Sequence, residues 1–496
     1  MSRGALMVVG TASDVGKSRL VAGLCRLAAR RQIAVAPFKA QNMSLNSTVT
    51  LSGHEIARSQ AHQAVAARTE AVIEMNPVLI KPEGDGTSQL VVMGRPVGRV
   101  GPAEAWPSWR SLGSEVTAAL GHLRASYDLV ILEGAGGAAE INLVDHDLSN
   151  LPLAAREGLP AVLVGDIERG GVFASIFGTV ALLPDNLRAP LRGFLFNKFR
   201  GDERLLASGI AELERRCSLS CLGVVPHAGA MALDEEDALA LSAAGSGWRH
   251  GTANVLDVAV VAVPRMANFT DFDPLRLEPG VSVRYVHSVA ELASPDLIVL
   301  PGSKTTVDAL VFLRTSGLAE AIVNQAGRAA VVVGICAGYQ LLGTEIVDDV
   351  ESGAGRVEAL GLLPLRTVFA HDKVIRRRTL RGPGGDPVAG YELHHGRPEP
   401  IAGTAWFHDE DGTTEGLADA DRGVFGTSLH GVFDDDGFRR TFLVDLAHRR
   451  HAPFRPGNVS YEAARQAQID GFADLLEQHV NLDALLALAA TARRPS

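Results

Sequence analysis

Residues 5–18 read ALMVVGTASDVGKS, and this stretch decides the fold of the first half of the chain. It starts as a short apolar run typical of a buried parallel strand, passes through a glycine-containing turn and leads into a helical pattern at residues 19–31. A turn that opens a helix points several backbone N–H groups at one spot, where the helix dipole also favours an anion. The stretch therefore predicts a phosphate-binding loop between a first strand and a first helix.

The side chains of this loop strengthen that prediction. Lys17 supplies a positive charge for the β and γ phosphates of a nucleotide, and the Ser18 hydroxyl can take a Mg²⁺ position. Thr11 stands where the usual pattern has its first glycine, so the loop is longer than standard by a single residue. An ordinary strand-to-helix turn is the alternative. The candidate nucleotide-binding residues of the loop are Gly10, Thr11, Asp14, Gly16, Lys17 and Ser18.

A second apolar run, residues 129–132, ends in Glu133 and a Gly-Ala-Gly-Gly turn. Because the carboxyl ends of parallel strands lie at one edge of a sheet, this acid is expected beside the phosphate loop. Mg²⁺ takes oxygen ligands, usually one or two carboxylates beside phosphate and water. Glu133 is therefore the candidate metal ligand together with Ser18, and a helix N-cap or a solvated turn acid is the alternative. Asp14 and Glu55 are the candidates for a second acid.

Similar apolar runs recur along the chain, each followed by a glycine-rich turn and a longer amphipathic stretch. Continuous apolar strands that alternate with helical segments predict parallel sheets buried on both faces. We therefore predict an α/β protein of two doubly wound domains. The small, polar, glycine-rich stretch Ser242–Asn254 marks the boundary, with a first domain at residues 1–245 and a second at residues 253–496.

The composition excludes several classes of protein. With 57 acidic and 47 basic residues among 496, the formal net charge is −10, whereas nucleic-acid and anionic-membrane binders need a surplus of Lys and Arg on one face. No apolar run approaches the roughly 18 to 20 residues of a membrane-spanning helix. The four cysteines are too scattered for a disulfide framework. We expect a soluble cytoplasmic protein with no nucleic-acid or membrane partner.

In the second half, residues 330–340 read AVVVGICAGYQ, the pattern of a buried strand, a sharp turn and a helix with Cys336 at the tip. This is a nucleophile elbow with sulfur in place of oxygen, and the N-terminus of the following helix favours the thiolate. A cysteine nucleophile needs a base that is distant in sequence and close in space. Among the 15 histidines, His430 at a strand-to-turn junction is the candidate.

Four blocks of the first half carry a resemblance to known families: KAQNMSLNS (39–47), EGAGGAAEINL (133–143), GDIERGGVFASIFGT (165–179) and FNKFRGD (196–202). The phosphate loop, Lys39 in FKAQN (38–42) and the EGAG turn (133–136) together resemble the dethiobiotin synthetase type of ATP-dependent carboxylate activator. More narrowly, the four blocks resemble cobyric acid synthases, the amidase-type ligases of cobalamin biosynthesis. Together with the motifs of the second half, these blocks cover nearly the whole chain. The resemblance implies ATP and Mg²⁺ as cofactors.

Three further residues gain candidate roles. Lys39 ends the second predicted strand, where dethiobiotin synthetases have a functional lysine that would hold a substrate carboxylate or phosphoryl oxygens. Asn197 lies at a strand end where the related fold reads the adenine, and a loop-capping Asn is the alternative. Arg169 follows Asp166-Ile-Glu and precedes paired glycines, and its guanidinium group can grip a carboxylate. With Lys198 and Arg200 nearby, this local basic pocket suits a polycarboxylate.

The second half resembles class I glutamine amidotransferases in the order and spacing of Cys336 and His430. In that family a cysteinyl thiolate attacks the side-chain amide of glutamine, ammonia leaves and water releases glutamate. The loop Leu-Pro-Gly302-Ser303-Lys matches the family's oxyanion segment. The resemblance implies that backbone N–H groups of Gly302 or Ser303 and of Ala337 hold the oxyanion.

One departure from class I domains concerns the third catalytic residue. Those domains usually carry Glu two residues after the histidine, where this chain has Val432. The cobyric acid synthase branch is similar in lacking that Glu, and the orienting acid stays open, with Glu392 as one candidate. We interpret His394 and His395 as structural residues, with a substrate role as the alternative.

The resemblance as a whole implies a glutamine-hydrolysing, ATP-dependent amide ligase. Its expected partners are glutamine and a corrinoid polycarboxylate, cobyrinic acid a,c-diamide in its adenosyl form, which four amidations convert to cobyric acid. Because neutral ammonia protonates in water, we expect a shielded passage between the domains. The oligomeric state and the order of amidation are not predicted.

Three alternatives differ in sequence features. Cobyrinic acid a,c-diamide synthase shares both domain types, but not the KAQNMSLNS and FNKFRGD blocks. CTP synthase also joins these domains, yet it should retain the glutamate after the histidine. A partitioning-type ATPase switch, which is no ligase, typically has a second lysine early in the phosphate loop, where this chain has Ala12 and Ser13.

Overall fold

The computed structural model describes residues 4–84, 86–101, 107–229, 256–328 and 330–493. The predicted boundary at Ser242–Asn254, with domain ends at residues 245 and 253, lies outside these ranges. Within them, no helix combines the length and the apolar character needed to cross a membrane.

Helices and strands alternate through most of the described chain. The α-helices are α1 (Lys17–Arg30), α2 (Arg58–Ala66), α3 (Trp109–Ser126), α4 (Leu151–Glu157), α5 (Val172–Leu182), α6 (Asp185–Arg188), α7 (Ala207–Cys217), α8 (Asp273–Arg276), α9 (Thr306–Thr315), α10 (Leu318–Gln325), α11 (Ala337–Leu342), α12 (Asp436–Arg450), α13 (Tyr461–His479) and α14 (Leu482–Ala489). The strands of the first half are β1 (Gly4–Gly10), β2 (Val35–Phe38), β3 (Gln41–Met43), β4 (Ser47–Val49), β5 (Glu55–Ala57), β6 (Val78–Gly84), β7 (Thr87–Val92), β8 (Arg95–Val100), β9 (Leu129–Glu133), β10 (Ala161–Asp166), β11 (Leu191–Phe199) and β12 (Ser220–Pro226). Those of the second half are β13 (Leu256–Val261), β14 (Val281–Val286), β15 (Leu297–Leu300), β16 (Val331–Ile335), β17 (Glu345–Asp348), β18 (Gly355–Glu358), β19 (Leu365–Arg381), β20 (Pro387–Pro400), β21 (Thr404–His408), β22 (Thr414–Asp419) and β23 (Val424–Thr427).

The first sheet has six parallel strands in the order β12-β11-β10-β1-β9-β2. Alternate residues of β1 enter two different apolar cores, with Ala5 and Met7 on one face and Leu6 and Val8 on the other. Burial on both faces explains why these strands read as continuous apolar runs. The carboxyl ends of β1, β9 and β11 meet at one edge, as the sequence predicts.

The second sheet has eleven strands. Its core, β14-β13-β15-β16-β23, is parallel and carries the thiol elbow at the end of β16. Antiparallel strands extend it, including the long hairpin of β19 and β20. The α/β class and the two wound sheets are confirmed, while this hairpin and a separate four-stranded sheet, β3-β6-β7-β8, are additions that the sequence did not predict.

The last two helices return to the first half. Side chains of α13 and α14, among them Phe472 and Leu476, share an apolar core with Leu20 and Val21 of α1. The buried guanidinium group of Arg26 donates to Gln466 Oε1 at 2.5 Å and pairs with Asp470 at 3.4 Å. The first sheet therefore packs against helices from the far end of the chain, whereas the sequence predicts that residues 253–496 form the second domain together. The division into two domains remains a prediction.

Candidate active sites

The phosphate loop joins β1 to α1 in the predicted place. Gly16 caps the helix with φ 92°, and a Cβ atom built there would lie 2.3 Å from Asn197 Nδ2, so the position requires glycine. Lys17 Nζ donates to the carbonyl oxygens of Ala12 at 3.0 Å and Gly136 at 2.8 Å. Its ammonium group is thus held over the loop, between the ends of β1 and β9.

Three polar side chains donate hydrogen bonds to Glu133 at the end of β9, and two of them belong to predicted site residues. Its Oε1 atom accepts from Ser18 Oγ at 2.8 Å and from Lys39 Nζ at 2.7 Å. Its Oε2 atom accepts from Gln63 Nε2 of α2 at 2.5 Å. The side chain is 1% exposed, which is not the position of a solvated turn acid. Gln63 was missed because nothing in the α2 sequence marks it out.

The oxygen donors here fit a Mg²⁺ ion that also takes phosphate and water. Ser18 Oγ and Glu133 supply a hydroxyl and a carboxylate side by side, the small protein contribution that Mg²⁺ prefers. Among the described residues, no group of three or more His, Cys, Asp or Glu side chains could hold a metal ion by itself. The two candidates for a second acid have other partners. The carboxylate of Glu55 pairs with Lys81 and Lys373. Asp14 is exposed, and its backbone carbonyl oxygen accepts a hydrogen bond from Lys198.

The predicted residues at the end of β11 and in the turn after β10 fall into two groups. Asn197 is buried and donates through Nδ2 to the carbonyl oxygen of Val15 at 2.7 Å, which ties β11 to the phosphate loop. Lys198 Nζ donates to Asp166 Oδ2 at 2.8 Å. Arg169, by contrast, is exposed on the turn after β10. The structure therefore brings Asn197 to the loop and leaves Arg169 exposed at the surface.

Cys336 occupies the predicted elbow between β16 and α11. Its backbone has φ 53° and ψ −110°, a strained conformation for a residue other than glycine, and its N–H donates to Thr427 O of β23. Such strain is typical of residues whose side chain must be presented at a functional site. The residue is buried, and it lines a cavity shared with His430, Gly302 and Ala337.

His430 has a partner that the sequence did not reveal. Its Nδ1 atom lies 2.7 Å from Asp271 Oδ2, and the other oxygen of Asp271 accepts from the backbone N–H of Gly431 at 3.0 Å. Burial lowers the pKa of His430, but the Asp271 carboxylate and the contact with Cys336 outweigh it and raise the pKa to about 10. The ring is therefore held as a cation beside the thiol.

Asp271 corrects the expectation for the orienting acid. Glu392 is buried but bonds to Arg376 and, at 3.3 Å, to Arg378, so it is not the partner of His430. Asp271 sits in the single-turn 3-10 helix Phe269–Phe272 that follows β13. A carboxylate 159 positions from its histidine gives no local pattern in the sequence.

The loop that carries the predicted oxyanion residue Gly302 lies beside the thiol. A Cβ atom built on Gly302 would lie 3.1 Å from His430 Cε1 and 3.8 Å from Cys336 Cβ, which places the loop against both. His394 and His395 line the same cavity. Burial lowers the pKa of each to about 4, so both rings are neutral.

Comparison with known proteins places these two sites in named domain classes. Residues 6–239 match the model of the CobQ/CobB/MinD/ParA nucleotide binding domain, and residues 257–438 match the CobB/CobQ-like glutamine amidotransferase domain. The chain thus matches a nucleotide-binding domain model followed by a glutamine amidotransferase domain model. A solved glutamine amidotransferase structure is similar at 18% identity, with a TM-score of 0.32, over 38% of this chain and 98% of that chain.

Relatives that align over nearly the whole chain identify the protein family. Cobyric acid synthase from Rhodococcus jostii (strain RHA1) is 49% identical, and the one from Streptomyces coelicolor is 48% identical. Each alignment covers 97% of this chain and 95% of the relative. The chain belongs to the cobyric acid synthase family. It is an enzyme, a glutamine-hydrolysing amide ligase.

Proposed function

We propose that the protein amidates carboxylates of cobyrinic acid a,c-diamide, in its adenosyl form, at the expense of ATP and glutamine. Four successive amidations give cobyric acid in cobalamin biosynthesis. The observation that carries the proposal is the pair of preorganised sites in a chain of this family. One is the Cys336–His430–Asp271 set, and the other is the phosphate loop beside Lys39 and Glu133.

The thiol site suits the release of ammonia from glutamine. The His430 cation, held by Asp271, lies beside Cys336, whose sulfur attacks the side-chain amide carbon of glutamine. Backbone N–H groups of Gly302 or Ser303 and of Ala337 hold the oxyanion as it forms. His430 then gives its proton to the departing nitrogen, and water attacks the thioester to release glutamate.

The first half suits the activation of a carboxylate. A carboxylate does not react with ammonia until one oxygen becomes a leaving group, which phosphorylation by ATP provides. The loop N–H groups and Lys17 hold the phosphates, and Lys39 orients the carboxylate or the transferring phosphoryl oxygens. Asn197 is proposed to contact the adenine. Mg²⁺, when bound at Ser18 and Glu133, supplies positive charge that neutralises the phosphate oxygens.

Ammonia must cross from the second half to the first. Direct contacts join the two halves: Ser47 N donates to Asn268 Oδ1 at 3.0 Å, and Gln89 Nε2 lies 3.3 Å from His395 Nε2. Asn268 and His395 also line the thiol cavity. We infer that ammonia leaves the cavity through this contact region, where neutral His395 does not protonate it.

The corrinoid is expected at the surface of the first half. Exposed Arg169, with Lys198 and Arg200 nearby, supplies positive charge for a polycarboxylate. We place the reaction in the cytoplasm, where the free thiols of the chain stay reduced.

Mass spectrometry tests the proposal directly. Cobyrinic acid a,c-diamide, incubated with the enzyme, ATP, Mg²⁺ and glutamine, should gain four amide groups in succession. No amidation, or amidation that proceeds without ATP, would contradict it. If cobyrinic acid without amides were instead converted and stopped at the a,c-diamide, the chain would act as the sister enzyme.

A further inference from the structure

Three lysine and three glutamate side chains meet where the two halves of the chain contact each other. They form two groups that share the cavity of Cys336. The cationic group consists of Lys81, Glu55 and Lys373. The acidic group consists of Glu83, Lys304 and Glu351.

The cationic group places two ammonium groups on one carboxylate. Glu55 Oε1 lies 2.7 Å from Lys81 Nζ, and Glu55 Oε2 lies 2.6 Å from Lys373 Nζ. The three side chains are at most 5% exposed. Ser47 Oγ accepts from Lys81 at 2.8 Å and donates to Glu55 at 2.9 Å. Burial lowers the pKa of Lys373 to about 8, with Glu55 opposing this shift, as expected where positive charge is in excess.

The acidic group joins two carboxylates to Lys304. Lys304 Nζ lies 2.8 Å from Glu83 Oε1 and 2.9 Å from Glu351 Oε1, and Glu83 Oε2 also lies 2.7 Å from Arg99 Nε. Burial raises the pKa of Glu351 despite the attraction of Lys304. Asp348, close by, directs its carboxylate to backbone N–H groups that include that of Glu351. The cationic group therefore sets two ammonium groups against one carboxylate, and Glu351 brings a carboxylate to the same cavity.

Four of these side chains, Lys81, Lys304, Glu351 and Lys373, line the cavity beside Cys336 and His430. An amino acid zwitterion has one carboxylate and one ammonium group on a single carbon. The ammonium groups of Lys81 and Lys373 are complementary to the first, and the carboxylate of Glu351 is complementary to the second. We propose that the cationic group binds the α-carboxylate of glutamine through Lys373 and Lys81, and that Glu351 of the acidic group binds its α-ammonium group. This inference rests on the proposed hydrolysis of glutamine at Cys336.

The assignment divides glutamine recognition between the two halves of the chain. Glu55 and Lys81 belong to the first half, whereas Lys373 lies on β19 of the second. The second half alone thus lacks a part of its substrate site. Docking of the halves completes the pocket that selects glutamine from other primary amides.

The test compares glutamine with two amides that each lack one charge. The compound 4-aminobutanamide has no α-carboxylate, and glutaramic acid has no α-ammonium group. For the wild-type enzyme, each loss should lower kcat/KM of amide hydrolysis about 10- to 100-fold, the range for a hydrogen bond to a charged group. Lys373→Met should hydrolyse glutamine and 4-aminobutanamide equally well, while it still discriminates against glutaramic acid.

A variant of Glu351 tests recognition of the α-ammonium group, and control variants separate the loss of recognition from the loss of folding. Glu351→Gln should lose discrimination against glutaramic acid but keep it against 4-aminobutanamide. Lys373→Arg should restore the preference for the α-carboxylate. Arg377→Met, an exposed neighbour on β19, should behave as wild type. Ammonium-supported amidation reports whether each variant is folded.

Two results would overturn different claims. If Lys373→Met retained the wild-type ratio between glutamine and 4-aminobutanamide, Lys373 would be a structural residue and this inference would fail. If the wild-type enzyme hydrolysed no glutamine at all, the proposed function itself would fail.

Discussion

His430 Nδ1 lies 2.7 Å from Asp271 Oδ2, and both side chains are 2% exposed. The contact joins the turn after β23 to the turn after β13, and it fixes the ring orientation and its proton at Nδ1. Asp271 can therefore orient the histidine ring. In class I domains a glutamate two residues after the histidine has this role. Val432 at the glutamate position is part of the apolar core.

Asp271→Asn should lower the rate of glutamine hydrolysis at least about 100-fold, because the ring loses the charge that keeps it protonated for the leaving ammonia. Steady-state glutaminase assays check this. Amidation with ammonium salts should be unchanged, and a parallel loss of that activity would mean that Asp271 only supports the fold.

The same pair predicts a pH dependence of stability. The pKa of His430 is about 10 in the folded protein, above the ordinary value of about 6.5, so folding favours the protonated ring. The stabilisation is therefore complete below about pH 6.5 and disappears as the pH rises through about 10. Urea unfolding at several pH values should show this decline for the wild type and a smaller one for Asp271→Asn. Equal declines would contradict the assignment.

Gly16→Ala should weaken nucleotide binding about tenfold or more, because its φ of 92° strains any other residue and the added Cβ meets Asn197. Titration with a fluorescent ATP analogue measures the change. Gly121→Ala, in α3 with open space around it, is the matched control and should bind like wild type. Unchanged affinity in Gly16→Ala would place the nucleotide elsewhere.

Lys17→Ala should abolish ATP-dependent amidation and spare basal hydrolysis of glutamine, because the phosphates lose their main cation while the thiol site is intact. Product formation and glutamate release are followed in the same reaction. Arg204→Ala, at the surface of the same half, should retain both activities. A Lys17 variant that still ligates would show that the loop is not the site of ATP.

The sequence predicted those parts of the two sites that consist of a single strand and the turn after it. The phosphate loop, Glu133 at the end of β9 and the Cys336 elbow each combine a buried strand with the residues that follow it, and periodicity is enough to find them. The carboxyl ends of neighbouring parallel strands then bring Lys39, Ser18 and Glu133 together.

Contacts between distant segments could not be predicted in this way. Asp271 reaches His430 across the sheet, and Glu55 meets Lys373 across the contact between the halves. The return of α13 and α14 to the first sheet depends on apolar packing against α1, which amphipathic periodicity does not assign to a partner. Such pairings need the three-dimensional structure because nothing near either residue in the sequence identifies the other.

The central claim is that two separate sites cooperate through ammonia, and Cys336→Ala tests it most directly. Amide formation on the corrinoid is measured with ATP and either glutamine or an ammonium salt as the nitrogen source. The account predicts no amidation with glutamine and undiminished amidation with ammonium. Loss of both activities to the same extent, in a variant that unfolds like the wild type, would contradict the two-site account.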